Sequence, residues 1–113
     1  MDIVVRIQSN DFTDAVRRYA TRRIHFALGR LAPRVGRIAI RISDINGVRG
    51  GVDQCCHIRV ELLPKGKVVL EHIDADLFCA IDRASERIGQ AIQRNIQRTR
   101  EARVRRESVR VPA

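Results

Sequence analysis

Residues 55–73, CCHIRVELLPKGKVVLEHI, hold two apolar stretches on either side of a turn. In 55–62, Cys56, Ile58, Val60 and Leu62 fall on one face, with Cys55, His57, Arg59 and Glu61 on the other. That is the period-two pattern of a strand packed on one side only. Pro64-Lys65-Gly66-Lys67 reads as a tight turn, and Val68 to Ile73 as the returning strand. A hairpin with one wet face needs a cover on the other. Upstream, residues 37–43 alternate again, with Ile38, Ile40 and Ile42 inward. Residues 44–53 are dense in turn formers and read as the loop joining these strands. Residues 2–8 form a further strand, with Ile3, Val5 and Ile7 on one side.

Between these strands, residues 12–31 have helical spacing, with Val16, Tyr19, Ala20, Ile24, Ala27, Leu28 and Leu31 on one stripe. Ser9-Asn10-Asp11 supplies capping types before it, and Gly29, Pro33 and Gly36 mark its exit. Downstream, Asp74 or Asp76 caps a long helix running to roughly residue 100. The order β-α-β-β-β-α predicts an α+β fold: a two-layer sandwich, a four-stranded sheet with two helices packed on one face.

The chain has 113 residues, enough for one domain, here residues 1–100 followed by a basic, flexible tail at 101–113. The longest apolar run is five residues, Leu77 to Ile81, against the roughly 20 that a bilayer span needs, so no membrane partner is expected. Three cysteines, two of them adjacent, argue against a disulfide framework and for a cytoplasmic setting.

Charge is segregated. The net charge is +9, and residues 12–37 and 83–113 each carry +6, while 1–11 and 38–82 are net acidic. Two separate basic blocks on an otherwise balanced chain suit a polyanion partner. On the second helix, Phe78, Ile81, Ser85, Ile88, Ile92 and Ile96 share one side, and Arg83, Arg87, Gln90, Arg94 and Arg98 the other. A merely solvated helix mixes signs; four arginines in register match a row of phosphates, each gripped in a bidentate way.

The first helix repeats the theme with Arg18, Arg22 and His25 opposite its apolar stripe, Arg17 and Arg30 on the flanks, and Arg23 close to the apolar side. If the helices lie side by side, their outer surfaces merge into one positive plane, suited to structured RNA or a duplex. Arg49, Arg100 and Arg103 are auxiliary candidates.

Phe12, Tyr19, Phe26 and Phe78 are the aromatic residues, and three of the four fall at or near helical core positions. A base-stacking platform is therefore not expected. Catalysis has little support either. Cys55, His57 and His72 invite a metal or thiol reading. Adjacent strand residues point to opposite faces, however, so Cys55 and Cys56 cannot share one ion, and Cys56 and Cys79 read as small core residues. Gly47, Gly50 and Gly51 lie between strands, away from any strand-to-helix phosphate loop. No enzyme, metal or cofactor is expected.

Asp76-Leu77-Phe78-Cys79-Ala80-Ile81-Asp82, the following Arg87, Arg94 and Arg98, and Thr13-Asp14-Ala15-Val16-Arg17 with Tyr19 and Arg23-Ile24 resemble the ribosome hibernation family. Its members include hibernation-promoting factor and ribosome-associated inhibitor A, also called sigma-54 modulation or S30EA proteins. The resemblance covers about residues 2–100, with Phe78 where the family usually has Tyr and a longer loop at 46–51. It implies a β-α-β-β-β-α domain in the mRNA and tRNA channel of the small (30S) subunit, within the 70S ribosome. There it would contact 16S rRNA, inhibit translation in stationary or stressed cells and protect idle ribosomes. The protein itself would be monomeric when free. On this reading Arg18, Arg22, Arg30, Arg83, Arg87, Arg94 and Arg98 hold rRNA phosphates, with Arg17, Arg23, Arg49, Arg100 and Arg103 as auxiliaries. The alternative is a general RNA- or DNA-binding protein with no preference for ribosomes.

Overall fold

A computed structural model describes residues 1–8, 13–45 and 53–109, with side chains through residue 106. The elements are β1 (Asp2–Ile7), α1 (Thr13–Leu28), a 3-10 segment (Gly29–Arg34), β2 (Val35–Asp44), β3 (Gln54–Leu62), β4 (Lys67–Asp74) and α2 (Leu77–Val109). The four strands form one mixed sheet in the order β1-β2-β3-β4. β1 pairs parallel with β2, and β2–β3 and β3–β4 pair antiparallel. Parallel pairing of β1 with β2 requires a crossover, which α1 provides.

The alternation works as the pattern demands. Ile38, Ile40, Ile42, Cys56, Ile58, Val60 and Leu62 enter the core with Val5 of β1. From the helices, Val16, Ala20, Ile24 and Leu28 of α1 and Ala80, Ile81, Ala84, Ile88 and Ile92 of α2 meet them. The opposite face of the sheet is left uncovered by any helix: Val4 and Arg6, Arg37 and Arg41, Arg59 and Val69 are exposed.

Two local features set the geometry of the hairpin and of the second helix. Gly66, at φ 103°, takes a left-handed conformation open to glycine, and Leu62 N–H donates to its carbonyl at 2.8 Å, closing the β3–β4 turn. Asp76 caps α2: its Oδ1 accepts from the N–H of Phe78 at 2.8 Å and of Cys79 at 3.1 Å. Asp74, the other capping candidate, instead accepts from Asp76 N–H at 3.2 Å.

Three expectations are corrected. The second helix does not end near residue 100 but continues to Val109, so residues 101–109 are helical. The stretch is rich in Arg, Glu and Ala, good helix formers, and the next Pro is residue 112. At 33 residues α2 is about 50 Å long. Cys79 is exposed, unlike the fully buried Cys56, because it sits one position off the α2 stripe that meets the sheet. Two aromatic residues lie off the core, Phe26 at 81% and Phe78 at 42% exposed, whereas Tyr19 is partly buried against it. Phe12, Ser9-Asn10-Asp11, Gly47, Gly50 and Gly51 lie outside the described residues.

Candidate nucleic-acid interface

The helices lie side by side and parallel, because their contacts advance together along both chains. The rings of Tyr19 and Phe78 meet edge-to-face with centroids 4.8 Å apart. Arg23 then reaches Asp82 and Glu86, and farther along Ala27 faces Gly89. A Cβ placed on Gly89 would stand 3.4 Å from the Ala27 carbonyl oxygen, so the glycine is where the two helices approach closely.

Asp82 joins them electrostatically. Its Oδ1 accepts from the Tyr19 hydroxyl at 2.5 Å and from Arg23 Nε at 2.8 Å, and Arg23 Nη2 stands 3.7 Å from Glu86. Arg23 also lies over the Phe26 ring at 5.7 Å. These contacts assign Arg23 to joining the helices, and its positive charge is offset by two carboxylates.

The bond to Asp82 raises the Tyr19 pKa above its ordinary value, with burial and the Asp82 charge adding to the rise. A folded-state pKa above the unfolded one stabilises at low pH: the contribution is whole below about pH 10 and is lost as pH rises through the folded value. Tyr19→Phe is expected to cost about 1 kcal/mol near neutral pH, discounted for partial exposure. Urea unfolding of wild type and variant at rising pH should show this gap closing once the phenol ionises.

The arginine row of α2 is exposed, as its spacing requires: Arg83, Arg87, Arg94 and Arg98 all face outward. It leans away from α1. Arg87 Nη1 donates to the Glu71 carbonyl of β4 at 3.2 Å and stands 3.2 Å from His72 Nδ1. Arg94 and Arg98 line a cleft of about 600 Å³ with Lys67, Val68 and Val69 of β4, and with Glu101. None of Arg83, Arg87, Arg94 and Arg98 forms an ion pair among the described residues.

On α1, Arg18, Arg22 and Arg30 are exposed and likewise without ion pairs, while Arg17 lies 3.9 Å from Asp14. Between the two groups runs a groove lined by Arg23, Phe26, Glu86, Gln90 and Gln93. Arg87, Arg94 and Arg98 thus lie toward the β4 flank of α2, with Arg18, Arg22 and Arg30 on α1. The reason is rotational: α2 must turn Asp82, Gly89 and Gln93 toward α1, which rotates its arginines toward β4. Arg100 lies beside Leu31 and Ile96 at the far end of the interhelical groove, Arg103 is exposed farther along α2, and Arg49 lies outside the described residues. Lys67 and the exposed Phe26 were not singled out by sequence. Lys67 joins the α2 row only through the pairing of β4, whereas the position of Phe26 off the α1 stripe was a readable signal.

Burial pushes the Cys56 thiol up to about 12 and raises that of Cys55, whose pKa Glu71 raises further. The Cys79 thiol is also raised, first by desolvation and then by Asp76, Asp74 and Asp82. None of the three is tuned toward a thiolate. Among the described residues, no three His, Cys, Asp or Glu side chains gather where a metal ion would fit, and no helix is long and apolar enough to cross a membrane.

A four-stranded mixed sheet under two parallel helices, bordered by exposed arginines without ion pairs among the described residues, defines a small basic α+β module. The chain belongs to the family described as Sigma 54 modulation protein / S30EA ribosomal protein, whose model matches residues 3–100. It is similar to the Thermus thermophilus Protein Y N-terminal domain, with 31% identity over 83% of this chain and 98% of that one and a TM-score of 0.64. A ribosomal subunit interface protein from Coxiella burnetii shares the fold at 15% identity, covering 86% of this chain and 99% of that one, with a TM-score of 0.71. None of the curated proteins matches the sequence significantly.

Proposed function

We propose that this protein is a cytoplasmic, non-enzymatic translation inhibitor that occupies the mRNA and tRNA channel of the small ribosomal subunit and holds 16S rRNA by its phosphates. Residues 1–100 carry the binding domain, and the protein is monomeric when free. Family membership supports the ribosome as partner. The observation that carries the RNA contact is the exposed, unpaired row Arg83, Arg87, Arg94 and Arg98, extended by Lys67. Arg18, Arg22 and Arg30 form the second surface; Arg17, Arg49, Arg100 and Arg103 are auxiliaries. Inhibition is steric occupancy in stationary or stressed cells, and no bond is made or broken.

Neutralising about six to eight phosphates gives a slope of roughly −5 for log affinity against log salt. Binding to 30S subunits, followed by sedimentation across a salt series, is expected to show that slope and to withstand excess bulk tRNA and duplex RNA. Equal competition by any RNA duplex would instead identify a general RNA-binding protein.

A further inference from the structure

The uncovered face of the sheet carries positive charge in an arrangement that folding alone does not favour. Its cross-strand register places Arg6 of β1 directly opposite Arg41 of β2, Arg41 opposite His57 of β3, and His57 opposite Glu71 of β4, so the one carboxylate of this row stands at its far end, two strands from Arg41. In the next row, Val4 pairs with Ala39, Ala39 with Arg59, and Arg59 with Val69. Neighbouring strands stand roughly 5 Å apart, so like charges directly opposite are destabilising. A solvated sheet face relieves this by alternating signs. Here Arg37 stands 3.8 Å from Asp2, whereas Arg6, Arg41 and Arg59 have no ion pair among the described residues.

The arginines ring a shallow depression of about 360 Å³ whose floor includes Val4 and Ala39. All of these lie on the face opposite α1 and α2, and the two surfaces come near each other only at the β4 edge, where Val69 stands opposite Arg59 and also lines the cleft of Arg94 and Arg98.

We propose that this open face is a second RNA site, in which Arg6, Arg41 and Arg59 hold backbone phosphates while sugar edges rest on Val4 and Ala39. It adds a second face to the ribosome-binding reading, so that the domain is gripped by RNA on both sides, as a plug in a cleft is. A second copy of the chain does not suit the face, since it would set arginine against arginine. A polyanion with apolar patches between its charges matches both the cations and the floor, and RNA has that character.

The test is the triple variant Arg6→Gln/Arg41→Gln/Arg59→Gln in the full chain, titrated with 30S subunits and with a short labelled RNA duplex over a salt series. The salt slope is expected to become shallower by about 2 with both probes, near the loss of three phosphate contacts. The melting temperature should hold or rise, because a like-charged pair is removed. Arg41→Gln alone, expected to remove roughly one unit of slope, keeps the test open if the triple variant does not fold.

Slopes unchanged with both probes overturn the inference. So does a loss confined to 30S subunits with the duplex unaffected, which would identify an acidic segment of a ribosomal protein as the ligand. If a charge reversal on α2 leaves binding whole while the triple variant loses it, the α2 reading fails and the sheet site stands.

Discussion

Arg87→Glu combined with Arg94→Glu is expected to abolish co-sedimentation with 30S subunits at moderate salt and to leave the circular dichroism spectrum unchanged. Each arginine in such a row contributes a charge-assisted hydrogen bond to a phosphate, worth about 1.5–3 kcal/mol where the partner is charged. Losing two of them costs roughly 3–6 kcal/mol, and setting carboxylates against phosphates adds repulsion, so affinity falls by at least about a hundredfold. The fold tolerates the change because both side chains are exposed. Arg94 makes no ion pair among the described residues, and the Arg87 contacts to Glu71 and His72 are single surface bonds. Undiminished co-sedimentation would remove the β4 flank of α2 from the interface. Loss with Arg18→Glu/Arg22→Glu alone would move the interface to α1.

Gly89→Leu should unfold the domain more readily without touching any basic residue. Gly89 is buried, and even a Cβ there would sit 3.4 Å from the Ala27 carbonyl oxygen and 3.8 Å from Leu28 Cδ2. A leucine has no space unless α1 and α2 separate, which would strain Tyr19 and Arg23 against Asp82. Overpacking of this kind costs about 2–3 kcal/mol, or roughly 10–15 °C in Tm for a domain of this size. Gly89→Ala is the informative control. Its methyl group is at ordinary contact distance, and the better helix propensity of alanine, about 1 kcal/mol, offsets the crowding. Thermal melts of the pair should therefore separate, with alanine near wild type and leucine well below. If leucine melts with wild type, the helices do not meet closely at this position.

The strands were readable residue by residue because each alternates and only one face is packed. Ile38, Ile40, Ile42, Ile58 and Val60 are buried where period two placed them. The α2 row was readable for the same reason, since helical spacing puts Arg83, Arg87, Arg94 and Arg98 on one side whatever they pack against. Spacing does not say which way that side is turned. Helical spacing places Phe78 with Ile81 and Ile88 on the apolar side of α2, yet it is 42% exposed and meets the Tyr19 ring edge-to-face between the helices. Likewise, nothing local told that α2 would pass residue 100, because the sequence of its last turns has no apolar stripe to signal a continuing helix.

By itself the sequence determined the element order, the inward residues of each strand and the one-sided arginine row, all consequences of local period and of burial on a single face. Tertiary structure alone decided the rotation of α2 about its axis and the cross-strand register. The first depends on Asp82 and Gly89 meeting α1 and directs the arginines of α2 toward β4. The second brings Arg6, Arg41 and Arg59, from three separate strands, onto one uncovered face. Both are relations between distant segments, set by packing shape and backbone pairing, which no periodicity along the chain encodes.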